Sequence, residues 1–105
     1  MSKVFHYNGE DFKGEVVSTK GITLVDFFAT WCGPCRMLGP VLDDLSGEVD
    51  YKVVKVDVDQ SRVLAAEYGV RSVPTMFIFK DGEVAEQMIG FLTNDEIKDK
   101  INSHL

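Results

Sequence analysis

Little in this chain suits it to hold a metal, cross a membrane or grip a nucleic acid. Its 105 residues include only two cysteines and two histidines. Zinc takes four ligands in a structural site, and Cys32, Cys35, His6 and His104 lack ligand spacing, so no metal is expected. No apolar run approaches the roughly 20 residues of a membrane helix. Basic residues are also scarce: Lys and Arg number 11 against 17 Asp and Glu, a formal net charge of −6. Phosphate backbones and anionic bilayers are bound through a basic face. Neither nucleic acid nor membrane is therefore an expected partner; the balance suits a soluble protein that meets other proteins. Met1 to Tyr7 lack the apolar stretch of a secretion signal, so the cytoplasm is the expected compartment. In that compartment a cysteine pair points to catalysis or metal binding before a structural staple.

Repeats, low-complexity segments and linkers are missing too, so residues 1–105 read as one domain. What is present is a 45% hydrophobic composition, enough for a core. Residues 3–7 read as a short strand. Asn8, with Asp11 three residues on, is positioned to cap a helix reaching about Ser18. Ile22 to Phe28 is β-branched and aromatic with one charge, which suits a central strand covered on both faces. Met37, Leu38, Val41, Leu42 and Leu45 recur at steps of three and four, predicting a helix from about Pro34 to Ser46. Pro40 removes a donor inside it and should kink it. Lys52 to Val58 is the next strand. Asp59 or Ser61 then caps a short helix ending at Tyr68–Gly69. Thr75 to Phe79, the turn Asp81–Gly82 and Val84 to Ile89 form a hairpin. Thr93 and Glu96 form a capping box for a last helix. The order β-α-β-α-β-α-β-β-α predicts an α/β fold: a central mixed five-stranded sheet flanked by four helices.

Trp31-Cys32-Gly33-Pro34-Cys35 lies where the second strand passes into the second helix. Cys32 should sit at the helix N-terminus, where free amides and the dipole favour a thiolate. The dipole contributes about 0.3–1 kcal/mol, against about 1.4 kcal/mol for one pKa unit, so it lowers the thiol only modestly. That leaves an attacking thiol near ambient pH, where exchange is efficient. Pro34 suits a first helical turn and stiffens the loop. A staple closing so small a loop stabilises by only about 2 kcal/mol, which makes a structural disulfide a poor reading. Asp26 is a lone carboxylate in an apolar strand; burial should raise its pKa, unless the side chain reaches solvent at an edge.

With these residues in view, the chain resembles the thioredoxins. The resemblance runs over nearly the whole chain, through Val25-Asp26-Phe27, Ala29, Trp31 to Cys35, Pro40, Asp57-Val58-Asp59, Val73-Pro74-Thr75, Phe79, Gly82 and Gly90. It implies the thioredoxin fold and a general protein-disulfide reductase acting as an electron carrier. Cys32 would attack a substrate disulfide and Cys35 would resolve the mixed disulfide, leaving Cys32–Cys35 oxidised. An NADPH-driven thioredoxin reductase would restore the dithiol. No bound cofactor is implied, and a monomer is the family default. Gly33-Pro34 between the cysteines resembles the reducing members, which disfavours an oxidase or isomerase. Some thioredoxins act instead by docking to a larger enzyme, a role that would survive loss of both cysteines.

The resemblance also assigns supporting roles. Asp26 would accept the proton of Cys35, through water, with Lys55 close by; the plainer reading of Lys55 is a solvated strand residue. Trp31 would be an exposed platform beside the cysteines rather than a core tryptophan. Base rates favour a trans bond before Pro74, but the matching proline of the family is cis and faces the cysteines. The backbone of Val73 would pair with an extended substrate segment, and Gly90 would line the same groove instead of marking a bulge. Four positions depart from common family usage: Phe28 for a second tryptophan, Arg36 for lysine, Gly39 for alanine and Ser72 for glycine.

Overall fold

The computed structural model describes residues 2–105. Five strands form one sheet: β1 (Phe5–His6), β2 (Ile22–Phe28), β3 (Lys52–Asp57), β4 (Thr75–Lys80) and β5 (Glu83–Ile89). They lie in the order β1-β3-β2-β4-β5. β1, β3 and β2 run parallel, while β4 and β5 are antiparallel to their neighbours. Four helical segments cover the sheet: a π-helical turn (Lys13–Val17), α1 (Gly33–Glu48), α2 (Arg62–Glu67) and α3 (Asn94–Asn102).

β2 is central and buried along nearly its whole length, which is why it tolerates no polar alternation. Its side chains divide between two cores. Ile22 and Leu24 join Val53, Met76 and Ile78 beneath Leu38, Leu42 and Leu45 of α1 and Ile97 and Ile101 of α3. Val25 and Phe27 join Val54, Val56, Phe77 and Phe79 against Phe12, Val16 and Ala65. Each fully buried Leu or Phe contributes about 1.5–3 kcal/mol. Asp26 falls on the first of these faces, between Leu24 and Phe28.

The predicted helix from Asn8 is corrected. Asn8 turns its side chain back to accept from the amide of Glu10, and Gly9 (φ +95°) and Asp11 (φ +53°) are left-handed. The chain becomes helical only past Asp11, whose carboxylate accepts from Gly14, and one π turn closes through Ser18 N–H to Lys13 C=O. Three smaller differences follow the same logic. The first strand shrinks to two residues. α1 extends to Glu48, unbroken through Pro40. Ser61 precedes α2 without a side-chain cap bond. The capping box at Thr93 forms in both directions, Glu96 N–H to Thr93 Oγ1 and Thr93 N–H to Glu96 Oε1.

Asp81 and Gly82 make the two-residue β4–β5 turn, both with positive φ (+51° and +83°). A Cβ on Gly82 would fall on the carbonyl of Val17, so the turn packs backbone to backbone against the end of the π turn.

Candidate active site

β2 ends beneath the N-terminus of α1, and Cys32 is the N-cap of that helix in an extended conformation (φ −88°, ψ 116°). Its sulfur accepts a hydrogen bond from the amide of Cys35, 3.2 Å away. Pro34, inside the first turn, has no amide to satisfy, and Arg36 N–H returns to the Cys32 carbonyl. Cys32 and Cys35 are joined as a disulfide across this turn, with Cα atoms 5.2 Å apart. Both are buried, while Trp31, Gly33 and Pro34 around them are exposed. A thiolate on Cys32 would keep the Cys35 amide as a charge-assisted donor, adding to the dipole argument a hydrogen bond that composition does not reveal.

The loop before β4 faces this turn. Cys32 Sγ lies 3.6 Å from the carbonyl oxygen of Val73, and the Val73–Pro74 peptide is cis. Pro74 C=O accepts from Gly90 N–H at 2.9 Å, and Gly90 has φ +97°. The Thr75 hydroxyl closes the loop on the Ser72 carbonyl at 2.7 Å. Val73, Pro74 and Gly90 thus form one backbone ledge beside Cys32, flanked by exposed Ile89 and Phe91.

Trp31 is 67% exposed. Its indole Nε1–H donates to Asp59 Oδ2 at 2.9 Å, and the Asp59 amide donates in turn to Asp57 Oδ1 at 2.8 Å. A hollow of about 160 Å³ lies between Trp31, Val58, Val70, Arg71, Ser72 and Val73. The sequence offers Asp59 as a cap for the next helix and not as a partner of Trp31; the register that sets Phe28 opposite Asp57 at the ends of parallel β2 and β3 brings the residues just beyond them together.

Asp26 is 0% exposed, and among the described residues neither carboxylate oxygen has a hydrogen-bond partner. Burial pushes its pKa up to about 7, opposed by the charge of Lys55. The alternative of an edge carboxylate reaching solvent is therefore wrong: β2 is the middle strand. Lys55 is the register partner of Asp26 on β3, half-buried rather than solvated. Its ammonium lies 4.3 Å from the centroid of the Phe28 ring. Lys55 and Cys35 line one hollow of about 280 Å³ together with Phe28, Ala29, Thr30, Arg36 and Gly39. Among the described residues no group of three or more His, Cys, Asp or Glu could hold a metal ion.

The model of the thioredoxin family matches residues 3–103. Thioredoxin 2 of Chlorobaculum tepidum is 42% identical over 98% of this chain and 96% of its own length. The thioredoxin of Haemophilus influenzae is 42% identical over the whole of both chains. The chain belongs to the thioredoxin family.

Solved thioredoxins share its fold. A mutant thioredoxin from Halobacterium salinarum superposes with a TM-score of 0.88 at 43% identity, covering 95% of this chain and 88% of that one. A thioredoxin from Nicotiana alata gives 0.89 at 34% identity, covering 98% and 93%. Thioredoxins are disulfide oxidoreductases, and the Cys32–Cys35 pair makes this chain one of them. The family acts on disulfide-containing substrates. Among the described residues no helix is long and apolar enough to cross a membrane. Of the departures from common thioredoxin usage, Gly39 has the clearest neighbour: a Cβ there would meet Lys55 Nζ at 3.9 Å, ordinary contact, so alanine would fit.

Proposed function

We propose that this chain is a general protein-disulfide reductase in which Cys32 attacks and Cys35 resolves. The observation that carries the reading is the Cys32 sulfur at the α1 N-terminus, accepting the Cys35 amide and bordered by the Val73–Pro74 ledge. An extended substrate segment pairs with the backbone of Val73, with Trp31, Pro74 and Gly90 shaping the groove. The Cys32 thiolate displaces one sulfur of the substrate disulfide; that sulfur leaves as a thiolate and takes a proton from water. Cys35 then loses its proton to Asp26, through water. The Cys35 thiolate attacks Cys32, forms the Cys32–Cys35 bond and expels the second substrate thiolate. Two electrons have passed from the dithiol to the substrate.

Asp26 suits its part because an acceptor works best with a pKa near the working pH, and burial brings its pKa to about 7. Lys55 keeps the ionised form accessible. Gly33 and Pro34 tune the pair by keeping the turn short, with Pro34 offering no N–H and Cys35 N–H donating to the Cys32 sulfur. Recycling falls to a thioredoxin reductase that draws two electrons from NADPH; the chain itself carries no cofactor. The reading takes residues 1–105 as one domain, acting as a cytoplasmic monomer. The test is an insulin-reduction assay with NADPH and a thioredoxin reductase. Insulin precipitation with stoichiometric NADPH oxidation is expected. Folded protein giving no turnover would overturn the reductase reading in favour of docking without redox chemistry.

A further inference from the structure

Lys55 makes no ion pair within 4.0 Å among the described residues, although it is the register partner of a buried carboxylate. Its ammonium instead lies over the face of Phe28, 4.3 Å from the ring centroid, with Gly39 of α1 close by. Phe28 stands two residues beyond Asp26 on β2, so the two side chains share a face. A lysine stem is flexible and carries its head to water unless something holds it. Here the ring faces the ammonium at the hollow that also reaches Cys35.

We propose that Phe28 is a positioning residue for the resolving step: its ring holds the Lys55 ammonium near Asp26 and so sets how readily Asp26 exchanges a proton with Cys35. The inference rests on the reading of Asp26 as proton acceptor. The charged groups on this side of the sheet are few. β3 brings Lys55 and, two residues on and opposite Phe28, Asp57, whose Oδ1 accepts from the Asp59 amide; α1 brings Arg36 at the rim of the hollow. β4 contributes Met76 and Ile78 to the surrounding core, and α3 contributes Ile97 and Ile101. Lys55 is therefore the cation whose place governs Asp26. Arg36, exposed on the helix, is screened by solvent.

Phe28→Leu keeps an apolar side chain but removes the π face. The ammonium then moves toward solvent, its attraction on the Asp26 carboxylate weakens, and the Asp26 titration moves up by about half a pH unit. Below that midpoint, resolution slows about threefold. Phe28→Trp, with a stronger π face, restores or lowers the midpoint.

The experiment follows the Asp26 carboxyl carbon by NMR from pH 5 to 9 in the reduced protein, with pre-steady-state resolution rates over the same range. It uses the native protein, Phe28→Leu, Phe28→Trp, Lys55→Met and the Phe28→Leu/Lys55→Met double variant. The expected result is a raised midpoint in Phe28→Leu, none in Phe28→Trp, and no further rise on adding Phe28→Leu to Lys55→Met. An unchanged midpoint in Phe28→Leu, or an equal rise in the Lys55→Met background, overturns the role of Phe28. A raised midpoint that the resolution rate does not follow overturns Asp26 as the acceptor, and the proposal falls with it.

Discussion

Asp26 and Lys55 face each other across the parallel β2–β3 ladder, one a buried carboxylate with no hydrogen-bond partner among the described residues, the other a half-buried cation. Burial pushes the Asp26 carboxyl up to about 7, and the Lys55 charge opposes that rise. Two consequences follow, one for stability and one for rate.

For stability, the carboxyl has a folded-state pKa of about 7 against an ordinary value of 3.8. Between those values the unfolded chain has released the proton and the folded chain still holds it. The contribution of this carboxyl to stability therefore falls as pH rises from about 4 to about 7, and is constant outside that window. The full loss is of order 4 kcal/mol from the difference of the two pKa values. Asp26→Asn removes this slope. Urea unfolding of both proteins from pH 4 to 8 should show the variant gaining on the native protein up to pH 7; parallel profiles would place Asp26 in a solvated setting.

For rate, Asp26→Asn should slow resolution of the mixed disulfide by at least about tenfold at pH 7, with the first attack by Cys32 little changed. Stopped-flow mixing with a chromogenic disulfide separates the two phases. Equal resolution rates would take Asp26 out of the reaction.

Asp59→Ala should free the Trp31 indole, whose N–H then loses its acceptor. A net hydrogen bond of about 1 kcal/mol predicts a rise of about fivefold in KM for protein substrates, with kcat and the reduction of a small disulfide nearly unaffected. A parallel loss on both substrates would mean that Asp59 acts on the cysteines instead.

Gly82→Ala should destabilise the fold by about 2–3 kcal/mol, because φ +83° disfavours any Cβ and the new carbon meets the Val17 carbonyl. Chemical denaturation measures it. Specific activity of the folded fraction should be unchanged, since the turn lies at the end of β4 away from Pro74.

The parts of the fold visible in the sequence are those carried by local pattern. The apolar run Ile22–Phe28, the helical stripe Leu38–Leu42–Leu45, the Asp81–Gly82 turn and the Thr93–Glu96 box each encode their structure within a few residues, and each forms. The stretch from Asn8 to Asp11 shows where that logic fails. A capping residue can satisfy a helix or its own turn equally well, and Asn8 chose Glu10. The setting of the site needed more than pattern. The Trp31–Asp59 bond spans 28 residues and the approach of Lys55 to Phe28 spans two strands, so both depend on sheet register. Asp26 is legible as a charge in an apolar strand expected to be central and covered; the strand order removes the solvent-facing edge that the sequence left open and sets Lys55 opposite it.

The measurement that bears most directly on the central claim is trapping of the mixed disulfide. With Cys35→Ser, incubation with a disulfide-containing protein should accumulate a covalent adduct through Cys32, identified by mass spectrometry and released by dithiothreitol. Cys32→Ser should yield none. An adduct carried by Cys35 in the Cys32→Ser variant at comparable rate, or none in Cys35→Ser with the fold intact, would contradict the assignment of Cys32 as the attacking sulfur.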